Sequence, residues 1–512
     1  MIFTSLTFLI FGVVLFFVYY IVSKKYQWIV LLLGSCVFYI WAGWKYFLFL
    51  LGTIVITYLI GLWLGKIYQK EHAYKEDDLE VEKVKKHCRN QRIFVLILGI
   101  LIGAGTLFFL KYFNFFASFF VSLFSPNDQF QILDLIVPVG ISFYTFSSIG
   151  YLVDVSKGDI KAETNILKYA LFISYFPIVL QGPICSYSEL SSQLLSEHDL
   201  IMDNVSSGAR RIVLGVLKKI IIADLIGIVV NTLFNNYSEY HGFIMFIAIV
   251  LYVIQLYADF SGFMDIAIGY SEMLGIVLPE NFDVPLLSTS LQVFWRKWHI
   301  TLGRWFKKYI YIPLGGNRVK KWRWVINIMI VWLLTGLWHG ASWGFIIWGA
   351  YNGVLLVLGG LFGKLIKNVK AKYPRFFNCK GYKWFTIIKT FYLVCIGFLF
   401  FRASSLPQAW DIFVESLKFW DWGNIVSPQF IDPGIHWSMY IVFVGAILVC
   451  YFANSFFRES PNEYIFHWNL FNRTPKWVSF ILYSIIIAST IACYVYEKSL
   501  NQTSSAFIYF NF

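Results

Sequence analysis

Charge is scarce in this chain of 512 residues: Asp, Glu, Lys and Arg together make 14% of it, while 58% is hydrophobic. A soluble domain of that size needs a charged surface to stay out of aggregation, so the chain belongs in a bilayer. Cysteine is equally sparse. The seven, at positions 36, 88, 185, 379, 395, 450 and 493, form no close pair and no metal-ligand spacing. A disulfide framework and a zinc site are therefore not indicated, and the cysteines read as packing residues. Linkers, low-complexity tracts and fixed-period repeats are also missing, so residues 1–512 read as one membrane domain with no appended soluble domain. No small-residue cleavage site follows the first apolar stretch, Ile2 to Val22, which is expected to stay as a membrane helix.

What is present is apolar sequence in windows of spanning length, near 3–22, 28–43, 46–64, 93–110, 134–155, 166–182, 208–233, 242–258, 262–278, 324–338, 343–362, 384–401, 438–457 and 478–497. The expected fold is an all-α polytopic membrane protein, with about eleven or more spanning and re-entrant helices around a central tunnel. Pro177, Gly182 and Pro183 interrupt one window, and broken backbone at membrane depth needs protein or a wet cavity to satisfy it. Aromatic residues reach 20%, as expected where amphipathic rings line interfaces and pack helices.

The net charge of +13 does not point to nucleic acid, because the cations lie in short loops between apolar spans. Residues 66–92 mix both signs. Arg296 to Arg323 holds nine basic and no acidic residues, and Lys364 to Lys383 holds seven and none. The positive-inside rule puts all three loops in the cytoplasm, the N-terminus outside, and the acidic segment 403–437 outside.

Ionisable residues at membrane depth are costly and are functional candidates by default. His339 ends an apolar run within Thr335-Gly336-Leu337-Trp338-His339-Gly340-Ala341-Ser342-Trp343. The small residues allow close approach, and Trp338 and Trp343 can wall a slot. On residues alone, a lone histidine there reads equally as a packing group or a catalyst, though an imidazole suits proton transfer in acyl transfer. A helix rising from Arg323 would carry His339 about 24 Å, well into the bilayer.

His299 lies in Phe294-Trp295-Arg296-Lys297-Trp298-His299. This stretch reads either as an interfacial helix gripping headgroups or as a donor entrance, with Arg296, Trp298 and Arg304 against an anionic ligand. The turn Gly315-Gly316-Asn317 offers backbone N–H groups to phosphate, a weak signal. Asp154, Gln181, Gln255, Asp259, Ser261 and Asp265 are polar within apolar surroundings. Asp259 and Asp265 are expected to pair with Arg, with Arg296 and Arg304 as candidates.

Six strings taken together resemble the membrane-bound O-acyltransferase family, in its bacterial branch of alginate and peptidoglycan O-acetyltransferases. They are PVGISFYTFSSIGYLVDV (138–155), YFPIVLQGPI (175–184), DFSGFMDIAIG (259–269), FWRKWHITLGRWFKKYIYIPLGGNR (294–318), LTGLWHGASWGFIIWGAYNG (334–353) and the terminal FIYFNF. The resemblance implies that His339 is the catalytic histidine and His299 the second histidine of the family. It implies acyl transfer, with acetyl favoured, from a cytoplasmic thioester such as acetyl-CoA, with no tightly bound cofactor. It also implies a polysaccharide acceptor and an extracytoplasmic partner of serine-esterase type. The family pattern often has an acidic residue at Lys308 and Gln at Ser147, and no role is carried onto either. The D-alanyl transferases of teichoic acid share the WRKWH-like part. A transporter using buried His and Asp as a proton relay is the rival from another class; it predicts inverted repeats, and none is found.

Overall fold

A bilayer core offers no water to backbone N–H and C=O groups, so apolar runs of this chain close their hydrogen bonds internally as helices. A computed structural model of the protein describes residues 3–73, 79–125 and 130–422. The apolar windows at 438–457 and 478–497, and residues 423–437 of the expected external segment, lie outside them. Among the described residues, helices are joined by loops and the sole β-type pairing is an isolated antiparallel bridge, Phe282 with Trp298.

Six helices among the described residues are long and apolar enough to cross a membrane: Lys24–Ala42, Trp44–His72, Val81–Phe124, Phe243–Met273, Trp343–Leu361 and Lys380–Arg402. The chain is a multi-pass membrane protein. Other apolar windows fold as broken elements. Window 166–182 becomes Ile166–Ser174 and the single turn Phe176–Val179, divided where Pro177 cannot continue the first helix. Window 208–233 becomes Met202–Leu217, a π-helical stretch Lys218–Asp224, and Leu225–Asn235.

The described chain divides into two compact units that alternate along the sequence. The first comprises Met1–Gly208, Tyr270–Pro279 and Arg304–Pro313. Within it, the second π-helical stretch, Lys307–Tyr311, docks onto the helix Ile141–Lys157. Trp305 stacks on Phe146 at 3.8 Å and donates its indole N–H to the Phe146 carbonyl at 3.0 Å. Buried Asp154 takes the Lys308 ammonium at 2.8 Å and the Tyr309 hydroxyl at 2.9 Å. Lys308 thus supplies the cation that a buried carboxylate requires.

The second unit comprises Ala209–Gly269, Glu280–Gly303 and the described residues from Leu314. Its buried carboxylates correct one expectation. Asp259 and Asp265 are paired by Lys219, Arg211 and Lys218 rather than by Arg296 or Arg304. Lys219 reaches Asp259 and Asp224, both at 2.8 Å. Asp265 takes Lys218 at 2.6 Å and Arg211 at 3.1 Å, and Arg211 also grips Glu280 at 2.7 Å. The reason is local: a π-helical stretch is wound wider than an α-helix, and here it buries the adjacent Lys218 and Lys219 together. Spacing read for an ordinary helix puts neighbouring lysines on diverging faces.

Two small residues fix the crossing of Lys321–His339 with Trp343–Leu361 in this unit. Gly336 lies against the Phe345 carbonyl, and Gly349 lies against the Trp332 carbonyl. A Cβ at either position would strike main chain, so the two helices meet at backbone distance.

Candidate active site

His339 is the last residue of a 19-residue helix that starts in the basic loop at Lys321. At about 1.5 Å per residue the imidazole stands about 27 Å along the helix from its charged end. It is buried, 3% exposed, in a cage of aromatic edges. Ring centroids lie at 4.9 Å to Trp338, 5.0 Å to Phe401, 5.1 Å to Trp348 and 6.3 Å to Phe345. Trp295 extends the cage, 5.5 Å from Trp348 and 4.7 Å from Trp332.

His299 is the second buried imidazole of this unit. Trp338, whose ring is 4.9 Å from His339, lies on its other side 5.9 Å from His299, so one indole bridges the two histidines. His299 has φ +48, in the left-handed region that costs a non-glycine residue about 1 kcal/mol or more and persists only where surroundings hold it. The surroundings are the segment 281–283. Ile300 N–H donates to the Asn281 carbonyl and Asp283 N–H to the Lys297 carbonyl, both at 3.0 Å, around the Phe282–Trp298 bridge. Phe260 packs edge-on to the ring at 4.8 Å.

Burial pushes the His299 pKa down from its ordinary value to about 3, so the ring is neutral at physiological pH. The sign follows: an unfolded histidine takes a proton below about pH 6.5, while the folded one resists until about 3. Folding stability from this residue is complete above pH 6.5 and is lost as pH falls toward 3. His299→Gln should therefore flatten the fall in melting temperature between pH 7 and pH 4 relative to wild type, and parallel curves would contradict it.

Of the other sequence-stated candidates, Trp338 and Trp298 are buried beside the two histidines, Trp298 stacked on Phe294 at 5.5 Å. Trp343 is 41% exposed, and Trp348 faces the His339 ring at 5.1 Å. Arg296 and Asn317 are exposed. The turn carrying Asn317 is held by Asn327, whose Nδ2 donates to the Leu314 and Gly316 carbonyls at 3.1 and 3.2 Å. Arg304 belongs to the first unit and forms a bidentate pair with Glu189 at 2.7 and 3.0 Å. The basic stretch therefore does have acidic counterweights, Asp154 and Glu189 in the first unit and Asp283 to Lys297 in the second, contrary to its composition read in isolation. Asn281 and Phe401 were not legible as site residues because they lie outside the quoted strings, and Trp295 and Trp348 lie inside two of them without any feature that singled them out.

Set against known proteins, residues 37–402 match the model of MBOAT, the membrane-bound O-acyltransferase family. The chain is 34% identical to the probable alginate O-acetylase of Pseudomonas aeruginosa over 468 residues, 90% of this chain and 83% of that protein. It is 33% identical to the peptidoglycan O-acetyltransferase of Helicobacter pylori over 406 residues, 74% and 71% of the two chains. It is 30% identical to the teichoic acid D-alanyltransferase of Bacillus subtilis over 296 residues, 54% of this chain and 72% of that one.

Proposed function

The chain belongs to the membrane-bound O-acyltransferase family, and we propose that it passes an acetyl group from a cytoplasmic thioester, with acetyl-CoA as donor, toward O-acetylation of an envelope or secreted polysaccharide, using His339 as the base. The observation that carries this reading is the buried His339 with Trp338 and His299 beside it, in a chain whose O-acetylating relatives match it over far more of its length than the D-alanyl transferase does.

In the proposed step, an imidazole nitrogen of His339 takes the proton of an acceptor hydroxyl. The alkoxide oxygen attacks the thioester carbonyl carbon, the C–S bond breaks, and the proton passes to the departing thiolate. A new ester and a free thiol result, with no net change in charge. The acceptor hydroxyl belongs to an extracytoplasmic serine-esterase-type partner that completes transfer to the polymer. Aromatic edges exclude water, which keeps the thioester from hydrolysis. Exposed Arg296 attracts the donor phosphates on the cytoplasmic side. Trp298 and Asn317, of the same unit as Arg296, belong to this donor entrance.

The direct test supplies purified protein with radiolabelled acetyl-CoA and follows thiol release and acetyl transfer in wild type and His339→Ala. An equally active variant would remove the catalytic assignment. Direction is tested separately. Single cysteines at Lys370 and Ser405 flank the span Lys380–Arg402. An impermeant thiol reagent added to intact cells should label the second and not the first, because the Lys/Arg-dense loop stays in the cytoplasm. Labelling of Lys370→Cys alone would reverse the proposed direction, and labelling of both would overturn the assignment of Lys380–Arg402 as a span between them.

A further inference from the structure

We infer that Asn281 fixes His299 in the tautomer with its proton on Nδ1 and its lone pair on Nε2, which makes Asn281 a positioning residue for the acyl transfer. The inference rests on the proposed acyl transfer and takes His299, the second histidine implied by the family resemblance, as a participant in it.

Asn281 is fully buried, and each end of its amide meets a partner that dictates which end it is. The Thr301 backbone N–H points at one amide atom at 3.0 Å, and a backbone N–H can only donate. That atom must be the carbonyl oxygen. The Thr301 hydroxyl donates to the same oxygen at 2.9 Å. The other amide atom lies 3.2 Å from the thioether sulfur of Met264, which accepts and has nothing to donate, as an NH2 group requires. The usual ambiguity between amide oxygen and nitrogen is thereby removed.

His299 Nδ1 lies 3.2 Å from this same oxygen. An acceptor faces it, so Nδ1 carries the hydrogen. A neutral imidazole has one N–H, which leaves the lone pair on Nε2. Burial keeps the ring neutral, so the assignment holds across the physiological range. The left-handed backbone at His299 fits this picture. The turn 299–301 is bent so that the ring of residue 299 and both the N–H and hydroxyl of residue 301 converge on one oxygen. That geometry stores strain for the sake of ring orientation. An Nε2 lone pair can accept the proton of a hydroxyl or thiol, whereas an Nε2–H could only donate. Asn281 therefore decides which chemistry the second histidine can do.

The test uses the full chain in detergent, with histidine labelled by 15N in the ring and acetyl-CoA as the kinetic probe. The signal that disappears in His299→Ala identifies the residue. In wild type it should show the shift pattern of an Nδ1–H, and the pattern of an Nε2–H would overturn the inference directly, whatever the donor. Asn281→Ala should lose that pattern and lower kcat roughly 10–100-fold, the effect typical of an orienting outer partner, with KM for acetyl-CoA within about threefold. Asn281→Asp keeps an acceptor toward Nδ1 and Thr301 and should recover the pattern and most of the rate. Thr301→Val keeps the backbone donor and should stay within about threefold of wild type. If Asn281→Ala retains wild-type kcat, or if Asp fails to rescue while the protein still binds acetyl-CoA, the positioning role is wrong. If His299→Ala itself is fully active, the participation of His299 fails instead, and the tautomer result stands alone.

Discussion

Replacing His339 by alanine should lower acyl transfer and thioester cleavage by roughly 10²–10⁴-fold, the range expected for loss of a positioned general base. The protein should still accumulate in the membrane. Ring edges of Trp338, Trp348 and Phe401 pack on His339, so truncation opens space among them. The melting temperature should fall by a few degrees while activity falls by orders of magnitude. That split separates catalysis from packing. A transporter with a proton relay, or a scaffold that only recruits another enzyme, predicts intact covalent transfer in the variant. Transfer within a factor of three of wild type would favour one of those readings.

The largest stability effect is expected at Lys219→Met. The ammonium is 1% exposed and contacts two carboxylates, Asp259 and Asp224, whose exposures are 0% and 7%. Forming such a group costs several kcal/mol of desolvation per ion, repaid by short contacts on both sides. Removing the central cation leaves two carboxylates facing each other and should cost about 3–5 kcal/mol. The readout is loss of folded protein on gentle heating in detergent, by size-exclusion chromatography. Adding Asp259→Leu to Lys219→Met should restore part of the loss, because the second change removes a carboxylate left without its ammonium. A single variant as stable as wild type would show that the triad contributes little.

The architecture was legible because apolar length is a one-dimensional property. The spans around 28–43, 46–64, 93–110, 343–362 and 384–401 appear where hydropathy puts them, since a bilayer permits little else. The two histidines were equally visible, each embedded in a specific string. What composition could not reveal was pairing across sequence distance. Arg304 and Lys308 lie in a stretch with no acidic residue, yet Glu189 lies 115 positions away and Asp154 lies 154 away. Asn281 reaches His299 only because the chain folds back through an isolated bridge. The π-helical stretch at Lys218–Asp224 was hidden for a different reason: residue periodicity assumes a constant winding, and this segment departs from it.

The crossing of Lys321–His339 with Trp343–Leu361 has a mechanical consequence. Most helix pairs are spaced by side chains, which are compliant and can change rotamer. At Gly336 and Gly349 the spacer is missing, and main chain bears on main chain. Such a joint has almost no play. The imidazole at the end of the first helix, three residues past Gly336, therefore has its backbone set by a rigid bearing as well as its ring set by aromatic neighbours. A push on the outer face of either helix would displace the two as a pair and leave the position of the imidazole relative to them unchanged.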